Sequence, residues 1–546
     1  MDSSVPEISK PEHEQKAILS SPKSPTLSPI RELNQKDWKP GTGEWFIFAC
    51  LAVVSLVVAL DATIVVPVLP AIARALSGDA TDTFWTGTSY LLTCAVFQPF
   101  VVSLSDIFGR RQLLFLSVLL FTVGTVVCCV SENFTQLLAG RCVQGIGGGG
   151  TLSLGLVIMT DIVPLRQRPT YNGIIQIAWA IGTITGPLVG GLFADHSTWR
   201  WVFYINFPFC AVGLLMIPFV VRLQAKRVSL KERLLYHVDW IGSTFFIAGT
   251  SSFLIGISWG GSQYAWDSFR TLVPIILGVF GIIITLVWER YAAKTPFIRL
   301  WLFKSQPASA AYACAILQGL LMFCELYYLP IYLESAKALS ATLTGVGLIP
   351  ITGALLPTSV TVGALITRFG RYRWAIWTGW AAVIASTALL IILSASTPTY
   401  GWVLLFIPIG LGHGLVLMSL NFGIQALARE RDGAYAAAMY TFLRTFGMCL
   451  GVAIGGTVFQ NRLAAHLRNG RLDEGIARDA EAFITVLKDM DRNTFPVERY
   501  REAYAAALRN VFEVLTGIAA LGGGMSIFIS HASMDRALDS EHVMAG

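Results

Sequence analysis

Long apolar runs separated by short polar loops make up most of the chain from Trp45 onward. Each run has about the ~20 residues that an α-helix needs to cross a hydrocarbon core of about 30 Å. The pattern therefore predicts an all-α membrane protein. The fourteen predicted spans are 45–66, 84–105, 112–130, 135–157, 170–193, 201–221, 239–258, 271–288, 307–331, 343–367, 374–394, 401–427, 433–459 and 508–530.

Polar composition marks the two ends and the loops. Residues 1–43 are rich in Ser, Pro, Lys and Glu and are predicted to be a disordered cytoplasmic tail, and 531–546 form a second, short tail. The short loops on one side carry 18 basic residues and those on the other carry 4, so the positive-inside rule places both termini in the cytoplasm. The loop 460–507 then lies outside, and Asn133 opens a glycosylation sequon in another, very short outer loop.

Composition excludes several classes of function. Charged residues are 14% of the chain, against about 25% in soluble domains. The net charge of +6 is spread over short loops, which indicates membrane orientation and argues against nucleic acid as a partner. No metal-ligand cluster, nucleotide loop or nucleophile–base pair stands out, so we predict no cofactor and no enzyme activity. The expected partners are the lipid bilayer, protons and a small-molecule substrate.

The chain repeats itself at a nearly constant offset. Gly109 in Phe-Gly-Arg recurs 261 residues later, and glycines of helices 4 and 5 recur 265 residues later in helices 12 and 13. The recurring residues are Gly370, Gly410 and Gly451, which match Gly109, Gly145 and Gly186. The repeat predicts an N-terminal six-helix bundle at 44–222 and a C-terminal one at 301–530, with helices 7 and 8 in a linker at 223–300. Two parallel halves around a midplane cavity are typical of secondary transporters.

Titratable residues lie inside four predicted spans. Asp61 of helix 1 and Glu325 of helix 9 are 264 residues apart, Arg141 belongs to helix 4 and His413 to helix 12. A charge deep in a spanning helix costs about 2.5–3.5 kcal/mol or more, which favours a functional role. We predict that these helices line the cavity and that the four residues couple transport to protons, because an acid in low dielectric can hold a proton near neutrality.

Simpler interpretations of the same residues stay open. Asp61 could be a silent packing carboxyl near the far headgroups, Glu325 an outer-half residue that reaches water, and His413 a packing histidine. Asp61 and Arg141 lie at similar depth and could form an ion pair. Glu325 could also contact a cationic substrate. Arg444 of helix 13 does not fit the pattern and is interpreted as a link between the halves.

Aromatic and amide side chains on the predicted cavity helices offer a surface for the substrate. Such a surface, with few fixed charges, suits flat and mostly apolar molecules. The same aromatics could equally be core or an interfacial belt. The candidates are Phe97, Gln318, Phe323, Tyr327 and Tyr328.

The motifs together resemble those of the fourteen-spanner drug:proton antiporters of the major facilitator superfamily, fungal efflux-pump type. Helix 1 contributes Leu60-Asp61-Ala62-Thr63-Ile64, the loop after helix 2 runs from Leu104 to Arg111, helix 4 contributes Leu138, Gly140, Arg141, Gln144, Gly145 and Gly147, and helix 5 contributes Gly182 to Gly191. Three further segments are similar to those of fungal members of this family. They are Trp199-Arg200-Trp201 with Asn206 and Pro208, Trp259-Gly260-Gly261 and Tyr327-Tyr328-Leu329-Pro330. Val102 departs from the glycine that usually opens the inner loop motif.

The resemblance implies the major facilitator fold and roles for two motifs. The inner loop motif would be a conformational latch that bridges the halves and breaks when they rock; a turn with membrane-anchoring arginines is the alternative. The helix 5 motif is associated in the family with export against a proton gradient, and its small residues allow close helix approach. The latch residues are Asp106, Gly109, Arg110 and Arg111, and the antiporter motif comprises Gly182, Gly186, Pro187, Gly190 and Gly191.

These observations predict proton-coupled efflux of drugs, toxins or endogenous secondary metabolites by a monomer in a fungal plasma membrane. A siderophore or vacuolar basic amino acid carrier on the same fold is one alternative. A transporter-like ligand sensor is another, although the tail after helix 14 is short for signalling.

Overall fold

The computed structural model describes residues 38–78, 80–222, 238–261, 263–490 and 495–535. The chain divides into Met1–Lys39 and Pro40–Gly546, and the helices described here belong to the second unit. Most of the predicted N-terminal tail, part of the linker and most of the C-terminal tail lie outside the described residues. The fourteen longest helices are α1 Thr42–Ile64, α2 Ala80–Phe108, α3 Arg110–Cys129, α4 Phe134–Ile162, α5 Arg168–His196, α6 Asn206–Val220, α7 Trp240–Trp259, α8 Phe269–Tyr291, α9 Gln306–Ser335, α10 Ile349–Phe369, α11 Arg373–Leu390, α12 Thr399–Leu427, α13 Gly433–Asn469 and α14 Phe495–Ser526.

Thirteen segments of the described chain are long and apolar enough to cross a membrane. They correspond to every predicted span except the eleventh. That span is α11, which has 18 residues and begins on an arginine, so its apolar stretch is short. Because α11 packs against α12 and α14, it belongs to the bundle, and the predicted all-α membrane fold is confirmed.

The helices pack in two sets that repeat each other. In the first set α1 packs on α5, α2 and α3 pack on α4, and α6 packs on α1 and α3. In the second set α9 packs on α13, α10 and α11 pack on α12, and α14 packs on α9 and α11. The sets meet where α5 contacts α10 and where α2 contacts α13, while α7 and α8 pair with each other. We call α1–α6 the first half and α9–α14 the second half.

Glycines explain why the same helix pairs form in both halves. A Cβ at Gly186 would collide with Thr63 of α1, and one at Gly451 would collide with the Leu320 carbonyl of α9. Because these two glycines are 265 residues apart, the sequence repeat is also a repeat of close helix contacts. Small residues bring helix backbones together in lipid, where packing contacts drive helix association.

Several boundaries differ from those predicted. Helix α13 continues to Asn469, ten residues beyond its predicted end, and α14 begins at Phe495, thirteen residues before its predicted start. A further helix, Ala480–Asp489, lies between them, and we call it the loop helix. The prediction stopped where the apolar runs stop, whereas these helices continue through polar sequence. The segment 460–507 is therefore mostly helical where it is described.

Candidate functional site

Asp61 of α1 lies at the centre of a buried polar network. Its Oδ2 is 2.6 Å from a guanidinium nitrogen of Arg141, and its Oδ1 accepts hydrogen bonds of 2.8 Å from Gln144 and 2.8 Å from Asn206. The side chains of Asp61 and Arg141 are 0% and 1% exposed. The predicted ion pair is thus present, fully desolvated and held by helices α1, α4 and α6 of the first half.

Tyr90 separates this network from the middle of the protein. The Arg141 guanidinium lies 4.3 Å from the centre of the Tyr90 ring and also donates to the Thr86 carbonyl at 3.1 Å. Tyr90 itself lines the central cavity described below. Any change in the Asp61–Arg141 pair therefore reaches the cavity through an aromatic ring that stacks on the cation.

Glu325 of α9 forms a second network inside the other half. One carboxylate oxygen lies 2.9 Å from His413 Nε2, and the other accepts a 2.8 Å hydrogen bond from Thr387. Within the described chain, the buried Nδ1 of His413 has no hydrogen-bond partner. An N–H at Nδ1 would be buried there without an acceptor, which is costly, so the geometry favours a proton on Nε2, from which it is donated to Glu325.

The two networks occupy related places in the two halves. Thr125 of α3 accepts from Gln144 at 2.9 Å, and Thr387, 262 residues later, donates to Glu325. Helices α1, α4, α9 and α12 all supply residues to the central cavity, as predicted. The side chains of the four titratable residues point into their own halves and do not line the cavity; neither Asp61 nor Glu325 belongs to the lining.

The central cavity lies between the halves and has a volume of about 110 Å³. Trp179 and Phe323 form much of its aromatic wall, Asn172 and Asn421 add amides, and Arg444 adds a guanidinium. Two further cavities lie one after the other beyond it, with volumes of about 40 and 260 Å³, and each shares lining residues with the cavity before it. They lead towards the end of the bundle that holds the loop helix, which we call the loop end.

Only part of the predicted substrate surface lines these cavities. Phe323 lies in the central cavity and Tyr327 in the two beyond it. Gln318 is buried and accepts a 3.0 Å hydrogen bond from Arg444. Phe97 packs against the apolar core, and Tyr328 faces a separate pocket beside the loop of α7 and α8. Residues such as Tyr90 and Trp179 were missed because a helical run does not reveal which face meets the other half.

Within the described residues, the predicted latch forms its hydrogen bond between the halves through Asp106. Asp106 accepts a hydrogen bond from Tyr435 of α13. The ion pairs of Arg110 lie within the first half, 2.6 Å from Asp106 and 3.0 Å from Asp161, and Arg111 donates to the Pro218 carbonyl at 3.5 Å. We call this end of the bundle the latch end.

Backbone geometry and further bonds close the latch end. Gly109 has a φ of +103°, a conformation that favours glycine, and it lets α3 begin directly after α2. Across the halves, Arg168 donates to Gln425 at 2.9 Å and Arg166 to the Thr367 carbonyl at 3.0 Å. These bonds hold the latch end shut while the cavities lead away from it.

The antiporter motif of α5 forms two close contacts. Gly182, Gly186 and Gly190 face α1, where a Cβ at Gly182 would lie 2.7 Å from the Leu56 carbonyl oxygen. Gly191 faces the second half, where a Cβ would lie 2.8 Å from the Thr342 backbone nitrogen. Pro187 lies within α5 and its carbonyl is close to Gly345. The motif thus packs α5 on the helix that carries Asp61 and on the other half.

The loop helix covers the outermost cavity. Glu481 and Ile484 of this helix line that cavity, and Lys488 lies 2.8 Å from Glu334 of α9. Tyr327 donates a 3.2 Å hydrogen bond to Glu481. Burial raises the pKa of Glu481 to about 7, helped by the charge of Glu334 and opposed by the Tyr327 bond.

The glycosylation candidate Asn133 has a structural role. Its side-chain oxygen accepts a 2.9 Å hydrogen bond from the Gln136 backbone N–H and so caps α4. The residue is exposed at the loop end, and its modification stays a prediction.

Comparison with known proteins identifies the family of this arrangement. The family model of the Major Facilitator Superfamily matches residues 51–452. The chain is 39% identical over 530 residues to MFS transporter L2 of Phoma sp., covering 96% of this chain and 87% of that protein. It is 34% identical over 528 residues to MFS efflux transporter aclA of Aspergillus oryzae, covering 96% of each, and 31% identical over 516 residues to MFS-type efflux pump LUC4 of Fusarium sp., covering 92% of this chain and 90% of that protein.

Solved structures share the fold at low sequence identity. A bacterial homolog of the human lysosomal transporter Spinster, in an inward-facing and occupied conformation, has a TM-score of 0.56 and 16% identity to this chain, over 90% of this chain and 97% of the other.

Proposed function

The chain belongs to the Major Facilitator Superfamily, and on that premise we propose that it exports drugs, toxins or endogenous secondary metabolites across a fungal membrane in exchange for protons. Relatives that align along nearly its whole length are named efflux transporter and efflux pump. The superfamily is one of transporters, so the activity is movement of a small molecule and not catalysis of a reaction.

One observation carries the proposal: a buried carboxylate lies directly behind a cavity between the halves, from which further cavities lead towards the loop end. Ala62, which follows Asp61 in α1, lines the central cavity, and Tyr90, which stacks on Arg141, lines it too. Protonation of Asp61 would break its ion pair with Arg141 and loosen α1 from α4. Because α1 also contacts α5 through the antiporter motif, that change reaches the contact between the halves.

The orientation follows from charge. The positive-inside rule places the latch end, with both termini, in the cytoplasm. The three cavities then lead towards the outside, beneath the loop helix, which is the side on which an exporter releases cargo and takes up protons. We propose the plasma membrane as the location and a monomer as the working unit.

Export from cells tests the proposal. Cells with and without the chain are loaded with a panel of metabolites, and retained compound is measured before and after collapse of the proton gradient. We expect the cells with the chain to export some of the compounds, and only while the proton gradient is present. Asp61→Asn should abolish this export. Asp267→Asn, a control at an exposed loop position, should leave it unchanged. Export that persists in Asp61→Asn would contradict the coupling role of Asp61, and a tagged chain found only on vacuoles would contradict the location.

A further inference from the structure

Arg444 gives the central cavity its charge. It is the one charged side chain among the residues that line this cavity, all of which are described. The other polar lining residues are neutral, such as Asn172, Asn421 and Tyr440. A group entering the cavity therefore meets a single fixed positive charge.

No carboxylate balances that charge in the described parts of the chain. The Nε of Arg444 donates to Gln318 at 3.0 Å, and a terminal nitrogen lies 3.5 Å from the Met322 sulfur. Two buried arginines of the first half, Arg110 and Arg141, each have an aspartate within 3.0 Å, and the buried Arg168 donates to Gln425 and two backbone carbonyls. The half-buried Arg444 has neither an aspartate nor a set of carbonyls within hydrogen-bond distance, and a cation held away from water without a counter-charge is costly.

The acids of the two networks do not take that place in this arrangement. Asp61 is held by Arg141 and Glu325 by His413, and neither acid lines the cavity. A cationic cargo would meet Arg444 with no carboxylate in the lining of the central cavity, and Glu334 of the adjoining cavity is held by Lys488. A cargo with an anionic group would supply the missing counter-charge, and guanidinium binds planar carboxylates in a bidentate manner.

We propose that the exported cargo is an organic anion, an aromatic carboxylate or an equivalent acidic group on a flat apolar frame, bound by Arg444 in the central cavity. Trp179, Phe323 and Tyr440 provide surfaces for the frame. The present volume of about 110 Å³ is below the ~300 Å³ of a drug-sized site, so the halves part further when a larger cargo enters. The inference rests on the proposed export function and narrows its substrate.

Binding to the purified full chain in lipid nanodiscs tests the inference. The probes are 2-naphthoic acid, its methyl ester and 2-naphthylmethylamine, which share one frame and differ in charge. We expect the wild type to bind the acid roughly tenfold or more tighter than the ester, because a charge-assisted hydrogen bond contributes about that much. The amine should bind weakest.

Variants separate the charge of Arg444 from its packing. Arg444→Gln should weaken acid binding by about tenfold and leave ester binding unchanged, and ester binding also reports that the variant is folded. Arg444→Lys should recover part of the affinity for the acid. Arg462→Gln, on an exposed position of the same helix, should match the wild type.

Two results would overturn the inference: a wild type with no preference for the acid, or an equal loss for acid and ester in Arg444→Gln. Failure of the proposed function is a different outcome. In that case the acid preference would be present, but cells would show no gradient-dependent export of any compound.

Discussion

Removing the charge of Asp61 is expected to destabilise the protein through Arg141. Asp61→Asn leaves the guanidinium buried beside a neutral amide. Its new NH₂ group faces a donor in either orientation, Arg141 if it replaces Oδ2, or Gln144 and Asn206 if it replaces Oδ1. Breaking a buried ion pair from one side costs about 3–5 kcal/mol. Arg141 keeps two acceptors, the Gln144 side chain at 2.7 Å and the Thr86 carbonyl at 3.1 Å, so we expect about 3 kcal/mol, near the lower end.

A charge-balanced double variant isolates the pair. Asp61→Asn with Arg141→Gln removes both charges and leaves amides that can bond to each other, so it should be more stable than Asp61→Asn alone. The coupling between the two sites should be about 0.5–3 kcal/mol. Unfolding free energy can be measured by SDS titration in mixed micelles with tryptophan fluorescence, with Asp267→Asn as the neutral control.

Two outcomes would refute this reasoning. One is a stability of Asp61→Asn equal to that of the wild type, and the other is a double variant whose loss equals the sum of the single losses. The double variant also serves the transport assay, since it lacks the acid and the same SDS titration reports whether it is folded. Loss of gradient-driven export in that variant would then be attributable to proton coupling and not to unfolding.

Three further predictions concern other parts of the structure. Glu325→Gln can keep both of its hydrogen bonds, so we expect normal stability but an altered pH profile of transport; an unchanged profile for every substrate would exclude Glu325 from coupling. The pKa of Glu481 is raised from about 4.5 to about 7 in the docked loop helix, so docking is coupled to protonation of Glu481. Docking of the loop helix should therefore weaken as the pH rises through that window. Hydrogen exchange of the loop helix should become faster over the same pH range in the wild type and not in Glu481→Gln. Gly190→Ala should destabilise by about 1–3 kcal/mol in the same SDS titration, because its Cβ would collide with the Ile64 carbonyl, whereas Gly87→Ala, with open space around the Cβ, should not.

The sequence was sufficient for the architecture because membrane burial and internal repetition both leave strong one-dimensional signals. Fourteen apolar runs and glycines at a 265-residue offset predict helices and their pairing. The ends of α13 and α14 were misplaced because a helix that leaves lipid can continue in polar sequence. The Asp61–Arg141 pair was predictable from depth alone, since two opposite charges at one level of a bundle stabilise each other.

The lining of the cavity was not predictable in the same way. Asp61 and Ala62 are adjacent in sequence, yet one faces its own half and the other faces the cavity, a difference set by how α1 is rotated against α5. Arg444 was interpreted as a link between halves, because a lone arginine in an apolar helix has no sequence signal for what it faces. Among the described residues its hydrogen-bond partners are Gln318 and Met322 of the same half, so these bonds do not link the halves, and the packing of α13 places it at the cavity.

The separation of these charges bears on the energetics of export. An anionic cargo would bind at Arg444 in the central cavity, whereas the proton would bind at the Asp61 or Glu325 network outside the cavity lining. Cargo and proton therefore need not compete for one carboxylate. With the cytoplasm negative, an anion that leaves and a proton that enters both move charge down the membrane potential, and each contributes about 2.3 kcal/mol per 100 mV. Export of an acid is thus expected to accelerate with voltage even without a pH difference. For a neutral ester carried by the same cavity, the membrane potential would contribute only through the proton that enters. The ratio of the export rates of acid and ester at clamped voltages therefore reports the charge of the cargo.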